Sequence, residues 1–227
     1  KLKNPLPNDS KMYNIRCSAI GDIDGDGDLD LYAAQYKSAY SNGVMPMPYY
    51  NANDGYPSYL LLNDGTGRFV DGTEAAGLGK KRNRRTYSTS FVDLDNDKDL
   101  DLLVVSDFAG MDLYLNDGTG KFTDVTEKYA AELKSLGMIT SSTFTDVNGD
   151  GKPDLVIVGE YLGVEIFLNE QGNFSKQTPE NLAALTGWWN TIHAVDIDKD
   201  GDMDFVVGNH GLNSRFKASS TEPISLF

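Results

Sequence analysis

The stretch "DIDGDGDLDL" (residues 22–31) places five aspartates in nine residues and then runs straight into apolar sequence. Carboxylates at this density repel one another, so a folded chain that gathers them must also hold something that neutralises them. The stretch returns three times, as "DLDNDKDLDL" from Asp93, "DVNGDGKPDL" from Asp146 and "DIDKDGDMDF" from Asp196, with first aspartates 71, 53 and 50 residues apart.

More than the loop repeats. "YLLLNDGTGRFVDGT" (residues 59–73) matches "LYLNDGTGKFTDVT" (residues 113–126), and "IFLNEQGNFSKQT" (residues 166–178) is a looser copy. A short alternating segment precedes each acidic loop: "RCSAIGD", "STSFVD", "SSTFTD" and "TIHAVD". Apolar runs such as "DLLVVSD" and "DLVIVGE" follow, as suits strands buried on both faces. A third strand ends at "LND" or "LNE", and a fourth follows a turn rich in Gly, Asn and Asp. Four antiparallel strands in about 50 residues, repeated, predict an all-β chain and a β-propeller, because one such sheet must stack on neighbours to bury both faces. An open β-solenoid is the alternative, with coils usually shorter than this. The blades fall at about residues 13–73 (with an insertion at 35–58), 85–126, 138–178 and 190–227, the last incomplete, in one propeller domain or a fragment of one. Helical periodicity is weak; residues 126–136, "TEKYAAELKSL", are the best candidate, as a short connector.

Numbered from its first aspartate, every loop carries an oxygen side chain at positions 1, 3, 5 and 9. These are Asp22, Asp24, Asp26 and Asp30; Asp93, Asp95, Asp97 and Asp101; Asp146, Asn148, Asp150 and Asp154; and Asp196, Asp198, Asp200 and Asp204. Oxygen-only ligands select a hard cation, and a flexible set rich in carboxylates favours Ca²⁺ over Mg²⁺, giving up to four ions, one per loop. Position 7 (Asp28, Asp99, Lys152 and Asp202) is expected to offer its backbone carbonyl, since a lysine side chain cannot ligate. Position 6 is Gly27, Gly151 and Gly201, but Lys98 in the second loop, a departure expected to strain that site. The loops are not EF-hands: position 12 is Ala33, Val104, Ile157 and Val207, not Glu, and a strand follows. Eighteen of the 34 acidic residues lie in these loops, and four dications would bring the net charge from −14 to −6.

That acidity argues against nucleic acid or an anionic membrane as a partner. No stretch nears the roughly 18 apolar residues of a transmembrane span, and the polar start "KLKNPLPNDS" is unlike a signal peptide. The single cysteine, Cys17, excludes an internal disulfide and reads as a buried thiol. Of two histidines, His193 is expected to pack in a core or interface and His210 to lie in a loop. No G-x-S-x-G, H-E-x-x-H, P-loop or Rossmann fingerprint appears, so no catalytic residue is assigned.

The acidic loops and the "LNDGTGKF" turns resemble FG-GAP-like, or VCBS, calcium-binding repeats of bacterial and integrin-type propellers, although the literal Phe-Gly-x-Gly-Ala-Pro string is absent. Residues 187–219 look more like bacterial surface or secreted proteins that accompany an ASPIC/UnbV segment, itself not present. The resemblance implies a place outside the cytoplasm: extracellular or at the cell surface, with outer-membrane-associated or periplasmic forms included. It also implies a larger, commonly seven-bladed propeller with blades beyond Phe227; a closed four-bladed ring would need a strand from the N-terminal residues.

In an antiparallel blade, the acidic loops and the "NDGTG" turns share one face. The unusual sequences fall on the other: the tyrosine-rich insertion with Tyr40, Tyr49 and Tyr50, the basic run "KKRNRR" with Arg82, Arg84 and Arg85, Trp188 and Trp189, and "NHGLNSRFK" with Asn209, His210 and Arg215. Loops on a rigid scaffold commonly carry binding. The expected function is therefore a non-catalytic binding or scaffold module that recognises a partner protein or a glycan at the cell surface, as a domain or subunit of a larger assembly. The alternative is the propeller of a calcium-dependent polysaccharide hydrolase or lyase.

Overall fold

In the computed structural model, residues 11–38, 51–134, 136–211, 219 and 222 are described. Residues 1–136 and 137–227 form two compact units.

The first unit holds two four-stranded antiparallel sheets. One comprises β1 (Ile15–Gly21), β2 (Asp30–Gln35), β3 (Tyr59–Asn63) and β4 (Phe69–Asp71); the other comprises β5 (Thr86–Val92), β6 (Asp101–Ser106), β7 (Gly110–Asn116) and β8 (Phe122–Asp124). In both, spatial order follows chain order. The register fixes where the acidic loops begin and end, since Gly21 stands opposite Asp30 and Val92 opposite Asp101. The apolar run of β6 is buried at every residue, as a strand sandwiched on both faces must be. Tyr32, Ala34 and Leu60 of the first sheet share one core with Leu102, Val104 and Tyr114 of the second. Each fully buried leucine contributes about 1.5–3 kcal/mol. The link between the sheets lies flat on β8: Phe122 N–H donates to Ala76 O at 2.8 Å. Gly77 makes this approach possible, with φ of 84° and a Cβ position that would fall 2.6 Å from Phe122 O.

The predicted connector is shorter than its sequence suggested. Only α1 (Thr126–Tyr129) is α-helical, because Ala130 leaves the helical region at φ −149°; a 3₁₀ turn, Ala131–Leu133, follows and buries Leu133.

The second unit contains β9 (Met138–Thr145), β10 (Asp154–Leu162), β11 (Glu165–Glu170), β12 (Asn173–Lys176), the short α2 (Glu180–Ala183), β13 (Gly187–Val195) and β14 (Asp204–Asn209). Strands β9 to β12 repeat the four-strand pairing of the first two sheets within a third sheet, which has six strands in all. The β13–β14 hairpin joins it through the far end of β10, where Glu160 pairs with Trp188 and Leu162 with Gly187. Ile192 of β13 shares a core with Val156 and Val158 of β10. The chain is thus all-β, built from four-stranded antiparallel sheets of propeller-blade type.

Of the two places expected for His193, the core is excluded. It is exposed on β13, as is its register partner Val206 on β14. Alternation along β13 buries Ile192 and turns His193 outward.

Candidate functional site

Each acidic loop curls because two of its residues adopt left-handed backbone. These are Gly25 and Gly27, Asn96 and Lys98, Gly149 and Gly151, and Lys199 and Gly201, with φ between 65° and 100°. Lys98, at 81°, pays for a conformation that glycine takes freely. The curl aims backbone N–H groups at the first aspartate. Gly25 and Gly27 donate to Asp22 at 2.9 and 3.1 Å, Asp97 and Lys98 to Asp93 at 3.2 and 3.1 Å, Gly149 and Gly151 to Asp146 at 2.7 and 2.8 Å, and Lys199 and Gly201 to Asp196 at 2.7 and 3.2 Å.

The ninth aspartate is a strut as well as a candidate ligand. Asp30, Asp101 and Asp154 are at most 1% exposed. One oxygen of each accepts the N–H of loop position 2: Ile23 at 3.3 Å, Leu94 at 2.8 Å and Val147 at 2.9 Å. The other accepts the N–H of the asparagine closing the third strand: Asn63 at 2.9 Å, Asn116 at 2.8 Å and Asn169 at 2.8 Å. Asp204 receives Ile197 N–H at 3.0 Å.

These bonds bring carboxylates together. Asp22, Asp24 and Asp30 each offer an oxygen within 4.8 Å of the others, as do Asp93, Asp95 and Asp101, and Asp196, Asp198 and Asp204. Asp26, Asp28, Asp97, Asp99, Asp200 and Asp202 stand outside these triads. The crowding has an electrostatic signature. Burial, and then the charge of Asp26, raises the Asp24 carboxyl above the usual range. Burial lifts Asp101 to about 6; burial together with Asp97 lifts Asp99 to about 7. In the second loop, Asp95 Oδ1 and Asp99 Oδ1 are buried without a hydrogen-bond partner among the described residues. Orphaned anionic oxygens beside a carboxylate triad are what a hard divalent cation would satisfy, so the residues fit such an ion. Three loops therefore have groups able to hold a metal ion.

The third loop differs. Asn148 replaces an aspartate, and its Nδ2 donates to Asp150 at 3.3 Å, as does the Lys152 ammonium at 3.2 Å. Lys152 thus brings its own positive charge to the loop through a side chain that sequence reading set aside. Asp150 is held below the usual carboxylate range, first by the Lys152 backbone N–H.

The asparagines of "LND" and "LNE" escaped the sequence reading, although they recur in all three turns. Asn63, Asn116 and Asn169 donate through Nδ2 to the carbonyls of Leu29, Leu100 and Pro153, one residue before the strut aspartates. Their Oδ1 atoms accept N–H groups of Gly67, Gly120 and Gly172. Each asparagine ties an acidic loop to the turn beside it. Asn116 Nδ2 also reaches Ile23 O in the first acidic loop, at 2.7 Å.

Tyr40, Tyr49, Tyr50 and Arg215 lie outside the described residues. The basic run is largely spent on ion pairs. Arg82 holds Asp71 and Glu74 at 3.4 and 3.1 Å, Lys81 holds Asp112 and Asp124 at 2.6 Å each, and Arg84 holds Asp112 at 3.0 Å. Arg85 is fully buried, pairs with Asp107 at 3.2 Å and with Asp54, and sits 6.0 Å from the Phe108 ring. Buried as it is, it offers no surface to a partner, which corrects its place among the expected contacts. The end of the insertion docks on this run: Gly55 N–H donates to Asn83 O and Ser58 N–H to Arg82 O, each at 2.7 Å, and Arg85 N–H to Ala52 O at 2.8 Å. Trp189 is half-buried against the second unit's core, its Nε1 donating to Leu185 O at 2.9 Å. Trp188 lies between Tyr161 and His210, and Asn209 and His210 are exposed. Cys17 is partly buried, and desolvation pushes its thiol up to about 12, which favours the protonated thiol.

Compared with known families, the chain matches the FG-GAP-like repeat three times, over residues 22–104, 93–157 and 146–207. Every match opens at the first aspartate of one acidic loop and closes in the strand after the next. A search among curated proteins finds no match.

Proposed function

The chain belongs to the FG-GAP-like repeat family, and from that premise we propose that it is a calcium-stabilised, non-catalytic binding or scaffold module of an extracellular or cell-surface protein. The observation that carries this reading is the convergence of three carboxylates in each of three loops, with buried unpartnered oxygens in one of them. Asp22, Asp24 and Asp30, Asp93, Asp95 and Asp101, and Asp196, Asp198 and Asp204 would hold the ions. The third loop is the weakest candidate, because Asn148 lowers its charge and Lys152 already neutralises Asp150.

A bound Ca²⁺ supplies positive charge that offsets carboxylate repulsion. The chain's own part is structural: backbone N–H groups fix the first aspartate and the strut fixes the ninth, so ligation locks the hairpin between the first two strands. Binding N and not U stabilises by mass action. Extracellular modules commonly bind Ca²⁺ with dissociation constants of about 10⁻⁴–10⁻³ M, consistent with a location outside the cytoplasm. Recognition of a protein or glycan is assigned to the strand ends away from these loops, where the exposed aromatic residues lie.

Calorimetric titration of the chelated protein with CaCl₂, followed by thermal melts, tests the metal reading. Three ions and a rise in Tm are expected; an unchanged melt in excess chelator and in millimolar Ca²⁺ would overturn it. A glycan panel and a pull-down from an extracellular fraction test recognition, and release of products from a polysaccharide would overturn the non-catalytic assignment.

A further inference from the structure

The strand residues 101–110 and 154–163 correspond residue for residue, "DLLVVSDFAG" to "DLVIVGEYLG", and residues 204–211 continue the series. In this register Phe108, Tyr161 and Gly211 occupy one place in the turn that leaves the second strand. All three have left-handed backbone, with φ of 59°, 61° and 57°. The turn therefore asks for glycine, and Gly211 answers without strain. An aromatic residue there carries a steric cost that glycine does not, so its ring should have a use.

Phe108 has one: the buried Arg85 guanidinium lies 6.0 Å from its ring and also pairs with Asp107. The third sheet keeps the aromatic residue and the acid but not the cation. Met138 stands where Arg85 would, and it pairs across the ladder with Glu160, the counterpart of Asp107. Glu160 makes no ion pair among the described residues and is half-buried. Tyr161 is 38% exposed. Its ring lies 6.2 Å from Trp188, tilted by 47°, and Trp188 lies 5.3 Å from His210, tilted by 54°. His210 N–H donates to Trp188 O at 2.8 Å, which fixes the third ring beside the second. Tyr161 and His210 are exposed, and Trp188 between them is half-buried. All three stand at the strand ends remote from the acidic loops, since Trp188 precedes Asp196 by eight residues, or about 26 Å of extended chain.

We propose that Tyr161, Trp188 and His210, with Glu160, form a platform for a neutral pyranose ring. The proposal deepens the binding-module reading and rests on it. Aromatic faces suit the C–H face of a sugar, and a few polar groups at the edge fix its orientation. Glu160, which has no ion-pair partner among the described residues, would accept sugar hydroxyls and repel uronates, as would a chain of net charge −14.

The test measures binding of neutral hexose oligosaccharides (cellohexaose, mannohexaose and galactohexaose) and of a galacturonate hexamer. Tryptophan fluorescence and calorimetry are the readouts, on the calcium-loaded full chain. Tyr161→Gly is the decisive variant because glycine fits the backbone: it should keep or raise Tm while weakening the best neutral ligand at least tenfold. Trp188→Ala should weaken binding similarly. Wild-type affinity in Tyr161→Gly, preference for the galacturonate, or no neutral ligand bound at millimolar concentration would each overturn the platform. Capture of an extracellular protein without any oligosaccharide would overturn the platform and leave the module reading standing. Absence of any glycan or protein ligand would overturn both.

Discussion

Substituting Asp101 by Asn separates the strut from the metal ligand. The carboxylate accepts two buried backbone N–H groups, those of Leu94 and Asn116, both at 2.8 Å. An amide of the same shape keeps one acceptor and turns an NH₂ toward the other N–H. One acceptor bond is lost and one buried donor is stranded, at a cost of about 1–3 kcal/mol. For a chain of this size each kcal/mol moves Tm by about 2–4 °C, so the fall should be roughly 2–12 °C. The melt is run in excess chelator, which removes any contribution from an ion, and at pH 5, below the carboxyl's raised value of about 6, so that the substitution does not also relieve the cost of a buried charge. Asp204→Asn is the internal comparison. Asp204 is half-buried and holds only Ile197 N–H among the described residues, so its substitution should cost about half as much or less. A fall under about 2 °C for Asp101→Asn, or an equal fall for Asp204→Asn, would refute the strut.

Lys98→Gly should raise Tm by a few degrees, through about 1 kcal/mol of relieved left-handed strain, and tighten the weaker phase of a calcium titration; a lower Tm would count against it. Arg85→Met should cost about 3–5 kcal/mol in urea unfolding, because Asp107 is then buried without its partner. The double variant Arg85→Met with Asp107→Asn should recover at least half of that, and a single-variant loss under about 1 kcal/mol would contradict the buried pair. Stability of the chelated protein should fall as pH rises from about 4 to 7. Asp101 and Asp99 are raised in the folded state to about 6 and about 7, against about 3.9 unfolded, so the folded state binds more protons in that window. With saturating CaCl₂ the trend should reverse, as protons compete for the same oxygens; Tm measured against pH with and without the ion decides.

The spacing of four acidic loops was enough to read the sheets, since a loop that ends at a fixed aspartate sets the strand register beyond it. Of the oxygen positions 1, 3, 5 and 9 read from each loop, 1, 3 and 9 converge in three loops, while position 5 stands outside the triads. The strut was not legible, because the second bond of Asp101 reaches Asn116, fifteen residues on, and the alternation of a loop does not reveal a partner on a third strand. The asparagines were seen only as turn residues for the same reason. The partners of the basic run could not be named from the sequence, because its counter-charges, Asp54, Asp71, Asp107, Asp112 and Asp124, are scattered through the first unit. Left-handed backbone at Tyr161 was hidden too, since nothing local distinguishes an aromatic residue in that turn from one in a strand.

Asn116 has a further consequence for how such a chain can be divided. Its amide holds the carbonyl of Leu100 in its own blade and that of Ile23 in the one before, at 3.1 and 2.7 Å. The piece that repeats along the sequence is therefore not the piece that can be excised. A cut between residues 73 and 85 looks clean, yet it leaves Ile23 O without its donor and strips Ile23, 1% exposed, of the turn at Gly120 that covers it. Blade shuffling or shortening should move each acidic loop together with the following third-strand turn, which is also how the family match is framed, from one loop into the next blade.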